Sequence, residues 1–263
     1  MEYFVQKTSI VRKIWGQSDT ILFIFAGASA EFALNKAVDW LYFTGRLPSD
    51  PLGRLFSTVS YARKIVFSDY QSALRAIDAM AAIHSDVEKK RGARIPDWAY
   101  RDVLFMIIDY SIRSYELLEH KLDHDDKREV FDVFNRVGIR MGLAGLPDSF
   151  EQWLKMRDEH LRDDLQRSTY TDDLFRQYRK HLGAVRFLIL IESQKLVVPK
   201  PVKSLMEFRN QSLLTPLLSL YKISRLVKLD WLLKEMILPS KYKTEIKSLD
   251  IATRRTNGCP FRQ

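Results

Sequence analysis

The sequence predicts a single all-α domain over residues 1–263, and three observations support that prediction. Apolar residues recur at helical spacing along most of the chain, without the period-2 alternation of half-buried strands. Glycine, proline and capping residues fall between the periodic stretches, where helices would begin and end. No linker divides the chain into two domains, and 263 residues with 46% hydrophobic content can bury a sizeable core.

Helix boundaries in the first half follow from these interrupting residues. Residues 20–42 are mostly apolar and predict one long helix. Asp50 and Pro51 form a typical N-cap and first-turn pair for the next helix. A further helix is predicted over about 70–91, because Gly92 follows the charged run EKKR and such a glycine commonly ends a helix.

The second half of the chain is also predicted to consist of helices. Ser149 and Gln152 have the spacing of a capping box, in which the two side chains bond each other's backbone N–H groups at a helix start. A final pair of short helices is expected within residues 213–238. The other helical stretches are predicted over about 96–121, 125–141, 149–165 and 172–191.

Cysteine content and hydropathy exclude several classes of protein. Cys259 is the only cysteine, so an intramolecular disulfide framework and a Cys-rich metal site are both excluded. The most apolar stretch, residues 21–34, is short for a bilayer and carries Glu31, which favours a buried core helix. The first residues do not have the pattern of a secretory leader. We therefore expect a cytoplasmic protein.

The net charge of +9 is concentrated in the C-terminal quarter. Residues 195–263 carry 14 Lys/Arg against 5 Asp/Glu, which accounts for the whole excess. We therefore expect a basic C-terminal extension from about residue 203, and peripheral association with an anionic membrane surface is one interpretation. Residues 213–238 interleave basic and apolar residues with Trp231, as interfacial helices do. A core helix pair with basic outer edges is the favoured alternative, and nucleic acid is not a favoured partner.

Among the five histidines, His84 has the most apolar surroundings. Its neighbours at helical spacing include Ile77, Met80 and Val87, which places the imidazole on the core-facing stripe of the predicted helix. A buried imidazole requires a hydrogen bond or a metal. Periodicity alone favours a hydrogen-bonded core histidine, although a neutral imidazole facing an apolar cavity also suits an axial haem ligand.

The other histidines lie in polar segments. His120 and His124 are spaced for a metal site, but the run HKLDHDD is typical of a surface connection between helices. His160 and His181 stand among charged residues, and we expect both to be solvated.

Arg54 and Thr58 form a second candidate pair. Their i, i+4 spacing places a guanidinium and a hydroxyl on one face of the predicted helix. An inward-facing arginine would need an acidic partner such as a haem propionate or a protein carboxylate. Spacing alone favours a surface arginine.

The segment from Asp50 to Gly92 resembles a known family of oxygenases. This family contains the bacterial latex-clearing rubber oxygenases and the fungal oxygenase that cleaves the farnesyl chain in mycophenolic acid biosynthesis. The resemblance covers roughly residues 11–202, including Ile14-Trp15-Gly16 and the helix around Asp109. The residues that match the family pattern are Asp50, Pro51, Gly53, Arg54, Leu55, Thr58, Ile83, His84, Val87 and Gly92.

The resemblance implies a globin-like helical core that binds haem b and uses dioxygen. It implies that His84 is the proximal iron ligand and that Arg54 and Thr58 are cofactor-binding and catalytic residues in the haem environment. The expected substrate is unsaturated or otherwise lipophilic. Apolar residues available to line its site, which would equally form an ordinary core, are Leu22, Phe25, Phe32, Phe105 and Ile108.

Two features depart from the family pattern. A His-Pro pair common in the helix before the arginine is absent, and Leu104 stands where relatives carry another histidine. Glu31 and Asp39 are the nearest acidic residues, and no catalytic base is assigned. A non-catalytic haem-binding or apolar-ligand-binding protein on the same fold is therefore the alternative.

Overall fold

A computed structural model describes residues 2–43, 50–216, 218 and 221, and it is all-α, as predicted. Within these residues, β contacts are limited to two isolated bridges, Tyr3 with Asp69 and Asn35 with Leu165. The helices in chain order are α1 (Ile10–Trp15), α2 (Ser18–Leu34), α3 (Asp39–Phe43), α4 (Pro51–Phe67), α5 (Tyr70–Arg91), α6 (Asp97–Leu118), α7 (His124–Arg140), α8 (Phe150–Asp163), α9 (Thr169–Val197) and α10 (Lys200–Leu205).

Several predicted helix ends are confirmed. The Asp50 side chain accepts a hydrogen bond from the Gly53 N–H, and Pro51 opens α4. Gly92 ends α5 with a φ of 70°, a left-handed conformation that favours glycine. Ser149 caps α8, but the Gln152 side chain accepts from the Asp148 N–H, one residue before the position that a capping box uses. These local signals therefore predict the starts of α4 and α8 and the end of α5 correctly.

The prediction of one helix over residues 20–42 is wrong. Helix α2 ends at Leu34, and the short α3 follows after four residues. Asn35 causes the break, because its side chain accepts a hydrogen bond from the Ala37 N–H at 2.8 Å and so replaces a helical bond. The same side chain donates to Asp102 at 2.8 Å, which anchors the break in the core.

Helix α2 lies at the centre of the fold. It packs against α6 on one side and α9 on another, and residues such as Ile21, Ile24 and Leu34 are almost fully buried. The prediction of a buried core helix for the apolar stretch is confirmed. Over the described residues, no helix has the length and hydropathy to cross a membrane.

Helix α9 is longer than predicted and is interrupted. It runs from Thr169 to Val197, with Gly183 at φ 74° and ψ 171° between two helical halves. Only glycine adopts that backbone conformation without strain.

Several predictions concern residues outside the described part of the chain. These are most of the predicted helix pair within 213–238, the greater part of the basic C-terminal extension, and Cys259.

Close packing of α2 on α6 depends on Gly27. A Cβ atom at this position would lie 2.2 Å from Cε1 of Tyr110, whose rigid ring is fully buried. We expect Gly27→Ala to lower the free energy of unfolding by about 1–3 kcal/mol, because overpacking outweighs the gain in helix propensity. Chemical denaturation measures this change.

Gly138→Ala is the matched control. Its Cβ would meet the methyl groups of Leu104 and Leu146, which are the flexible ends of side chains. This variant should lose less stability than Gly27→Ala. Equal losses would show that the Tyr110 ring moves aside.

Candidate functional site

His84 lies on α5 and is half-buried. Its ring packs edge-on against Tyr100 of α6, with 5.3 Å between the ring centroids, and its Nδ1 atom is buried. Ile77, two turns earlier on the same helix, is fully buried, and Met80 is partly buried against the core. The structure therefore places this imidazole at the margin of the apolar interior.

The other two predicted site residues lie on α4, which packs against α5. Thr58 is half-buried, and Val59 beside it is buried in the core. Arg54 belongs to the same helix one turn earlier, but its side chain lies outside the described part of the structure. The roles expected of His84, Arg54 and Thr58 therefore stay predictions.

Most residues considered for an apolar substrate lining belong to the core. Ile108 is fully buried and Phe105 almost so, with the Phe105 ring edge-on to Trp153 at 6.4 Å. Phe25 is also buried, edge-on to Trp15. Leu22 and Phe32 are partly buried.

A buried ionic cluster, which sequence reasoning missed, lies between α2, α6 and α8. At its centre the Arg157 guanidinium donates two hydrogen bonds to Glu31, one of them to Oε2 at 2.7 Å. Arg157 also donates to Oδ2 of Asp109 at 2.9 Å. The six residues of the cluster, all less than 9% exposed, are Glu31, Asp102, Asp109, Tyr110, Arg157 and His160.

Two further side chains contact the Glu31 carboxylate. The Tyr110 hydroxyl donates to Oε2 at 2.8 Å, and Nε2 of His160 lies 2.8 Å from Oε1. The other ring nitrogen of His160, Nδ1, is 2.6 Å from Oδ1 of Asp102. His160 thus lies between two buried carboxylates.

The prediction that His160 is solvated is wrong, because the residue is only 2% exposed. Helix α8 contains many charged residues, so the sequence pattern does not show clearly which face of the helix is buried. Trp153, Arg157, His160 and Leu161 recur at spacings of three and four and are all buried. A charged residue at the centre of such a stripe was the signal that could have revealed the cluster.

The cluster shifts the pKa values of its own members. Burial alone would raise the pKa of Glu31, but the charge and hydrogen bonds of Arg157, together with His160, hold it well below its ordinary value. Burial alone would lower the pKa of His160, but its contacts with Asp102 and Glu31 raise it. Burial and the neighbouring Glu31 charge raise the pKa of Tyr110. Near neutral pH, Glu31 is therefore ionised and Tyr110 is a hydrogen-bond donor.

The sequence-predicted surface histidines are confirmed as such. His120 is exposed beside the Tyr115 ring, and His124 is exposed at the start of α7, 3.4 Å from Glu151. The described residues hold one group with the spacing of metal ligands, and it is Asp102, His160 and Asp164.

Comparison with known proteins identifies one family. Residues 12–238 match the family model described as ER-bound oxygenase mpaB/B′/Rubber oxygenase, catalytic domain. No curated protein and no solved structure matches the chain.

Removal of Arg157 tests the ionic cluster. Arg157→Met would leave Glu31 and Asp109 buried without their main cation, so we expect a loss of about 3–5 kcal/mol in the free energy of unfolding, measured by denaturation. Arg140→Met is the control, since Arg140 pairs with Asp78 at the surface, where such pairs contribute little. Similar losses for both variants would contradict a special role for the cluster.

Proposed function

Since the chain belongs to the family of mpaB/B′ and rubber oxygenase catalytic domains, an oxidoreductase family, we propose that it is a haem b-dependent oxygenase with His84 as the proximal iron ligand. The observation that carries the proposal is the position of His84 in the segment whose residue pattern resembles that of the family and which the family model covers. Its half-buried imidazole beside buried Ile77 and partly buried Met80 fits an axial ligand at the edge of an apolar space.

The neighbouring helix supplies the other two proposed residues. Thr58 is half-buried on α4 and would donate one hydrogen bond in the haem environment. Arg54, one turn earlier, would pair with a propionate or polarise an oxygen species, since its guanidinium is a permanent cation. The packing of α4 on α5 supports this assignment, because it joins the helices that carry all three residues.

When bound, haem supplies the activation of dioxygen. The chain itself would hold the iron through one ring nitrogen of His84, orient the substrate and keep water away. A lipophilic, unsaturated substrate is proposed because the description of the family includes rubber oxygenases.

A second candidate function is binding of haem or an apolar ligand without turnover. Leu104, at the position of a histidine in relatives, is buried in the core and contributes no polar group there. Oxygen uptake separates the two functions. An oxygenase consumes oxygen when the reduced haem protein meets a suitable lipophilic alkene, and a binding protein does not.

The proximal ligand is tested by spectroscopy. Protein purified after expression with ample haem should show a Soret band, and His84→Gly should weaken or abolish it because the axial ligand is lost. Added imidazole should restore the band in this variant by replacing the missing side chain. His181→Gly serves as the control, because His181 is exposed. Colourless wild-type protein, or an unchanged band in His84→Gly, would contradict the proposal.

The roles of Arg54 and Thr58 are tested by turnover. Arg54→Gln and Thr58→Val should slow oxygen consumption at least about tenfold while His84 still holds haem, as expected for lost polar contacts near a reacting group. Ser57→Ala is a matched control, since Ser57 adjoins Thr58 but is exposed. Undiminished turnover in both variants would remove these residues from the site.

A further inference from the structure

One nitrogen and two carboxylates converge at the C-terminal end of α8. Nδ1 of His160 lies 2.6 Å from Oδ1 of Asp102 and 3.8 Å from Oδ2 of Asp164. The potential ligand atoms of these three residues all lie within 4.8 Å of one another. The side chains of Asp102 and His160 are buried, whereas that of Asp164 is 29% exposed, so the group is open to solvent on one side.

The contacts of Glu31 orient His160 toward this group. Glu31 is ionised by its pairing with Arg157, so the natural hydrogen bond at 2.8 Å runs from Nε2–H of His160 to the Glu31 carboxylate. In the neutral imidazole this leaves the Nδ1 lone pair directed at the two aspartates. Nδ1 is buried, and the Asp102 carboxylate is its nearest described partner. A carboxylate behind a histidine is the usual support of a metal-ligating imidazole.

Nδ1 lies beside two carboxylates, so either a proton or a cation belongs at this position. A neutral imidazole would direct a lone pair at the Asp102 oxygen 2.6 Å away, which is repulsive. A proton on Nδ1 would pair with Asp102, its nearer neighbour, whereas the Asp164 oxygen lies 3.8 Å away. A divalent ion bound to the three side chains would balance both aspartates.

The chemistry of the ligands selects the kind of ion. Imidazole nitrogen with two carboxylate oxygens suits Zn²⁺ and similar first-row ions, which bind three protein ligands and leave a position for water. Mg²⁺ and Ca²⁺ prefer oxygen ligands alone. We propose that Asp102, His160 and Asp164 form a binding site for a divalent transition-metal ion of the Zn²⁺ type, distinct from the proposed haem site.

Titration of the full-length, chelator-treated protein with ZnCl₂ tests the site. Calorimetry and elemental analysis after dialysis should give one equivalent of Zn²⁺, which MgCl₂ does not displace. Asp164→Asn should weaken binding by more than about tenfold, because it removes a ligand. His181→Gln, which changes an exposed histidine, should bind Zn²⁺ as the wild type does.

His160→Gln provides a second test, since its amide N–H can still donate to Glu31 while the Nδ1 ligand is lost. It should also lose the equivalent of Zn²⁺, and circular dichroism checks that each variant is folded. If His160→Gln does not fold, Asp164→Asn alone tests the metal site, because the side chain of Asp164 is partly exposed. Wild-type protein without stoichiometric Zn²⁺, or undiminished affinity in Asp164→Asn, would overturn the proposal. Neither Zn²⁺ binding nor circular dichroism requires haem, so the outcome of these tests is independent of the proposed oxygenase activity.

Discussion

The pairing of Glu31 with Arg157 is the interaction on which the centre of this fold depends. Both side chains are removed from water, which is costly for each charge and is offset only while the other is present. Glu31 lies on α2, the helix that packs against both α6 and α9, and Arg157 lies on α8. The pair therefore fixes the position of α8 against the central helix. A buried ion pair adds little net stability over an apolar replacement, but the loss of either charge alone is strongly destabilising.

Helix α6 connects the ionic cluster with the surroundings of His84. Tyr100 packs against the His84 ring, and Asp102 contacts His160. Residues two apart on a helix differ by about 200° in direction, so these side chains lie on nearly opposite faces of α6. The first turn and a half of α6 thus contacts His84 on one face and the ionic cluster on the other, and the position of this helix relates the two regions.

Local signals in the sequence were sufficient for much of the fold. Asp50 and Gly92 were recognised as helix ends because capping depends on residues a few positions away. The end of α2 was missed because Asn35 depends partly on Asp102, which is 67 positions distant. His160 was missed for a similar reason, since its partners Glu31 and Asp102 come from other helices. His84 was found through a pattern within a single segment, and its role stays a prediction.

The mutual dependence of the cluster also limits how this protein can diverge. Arg140 and Asp78 meet at the surface, where either can be replaced while water solvates the other. Glu31 has no such freedom, because its neighbours Arg157, Tyr110 and His160 would each lose a partner in a dry environment. Replacement of this cluster by apolar residues therefore requires several coordinated substitutions, because each single substitution leaves a buried polar group without its partner.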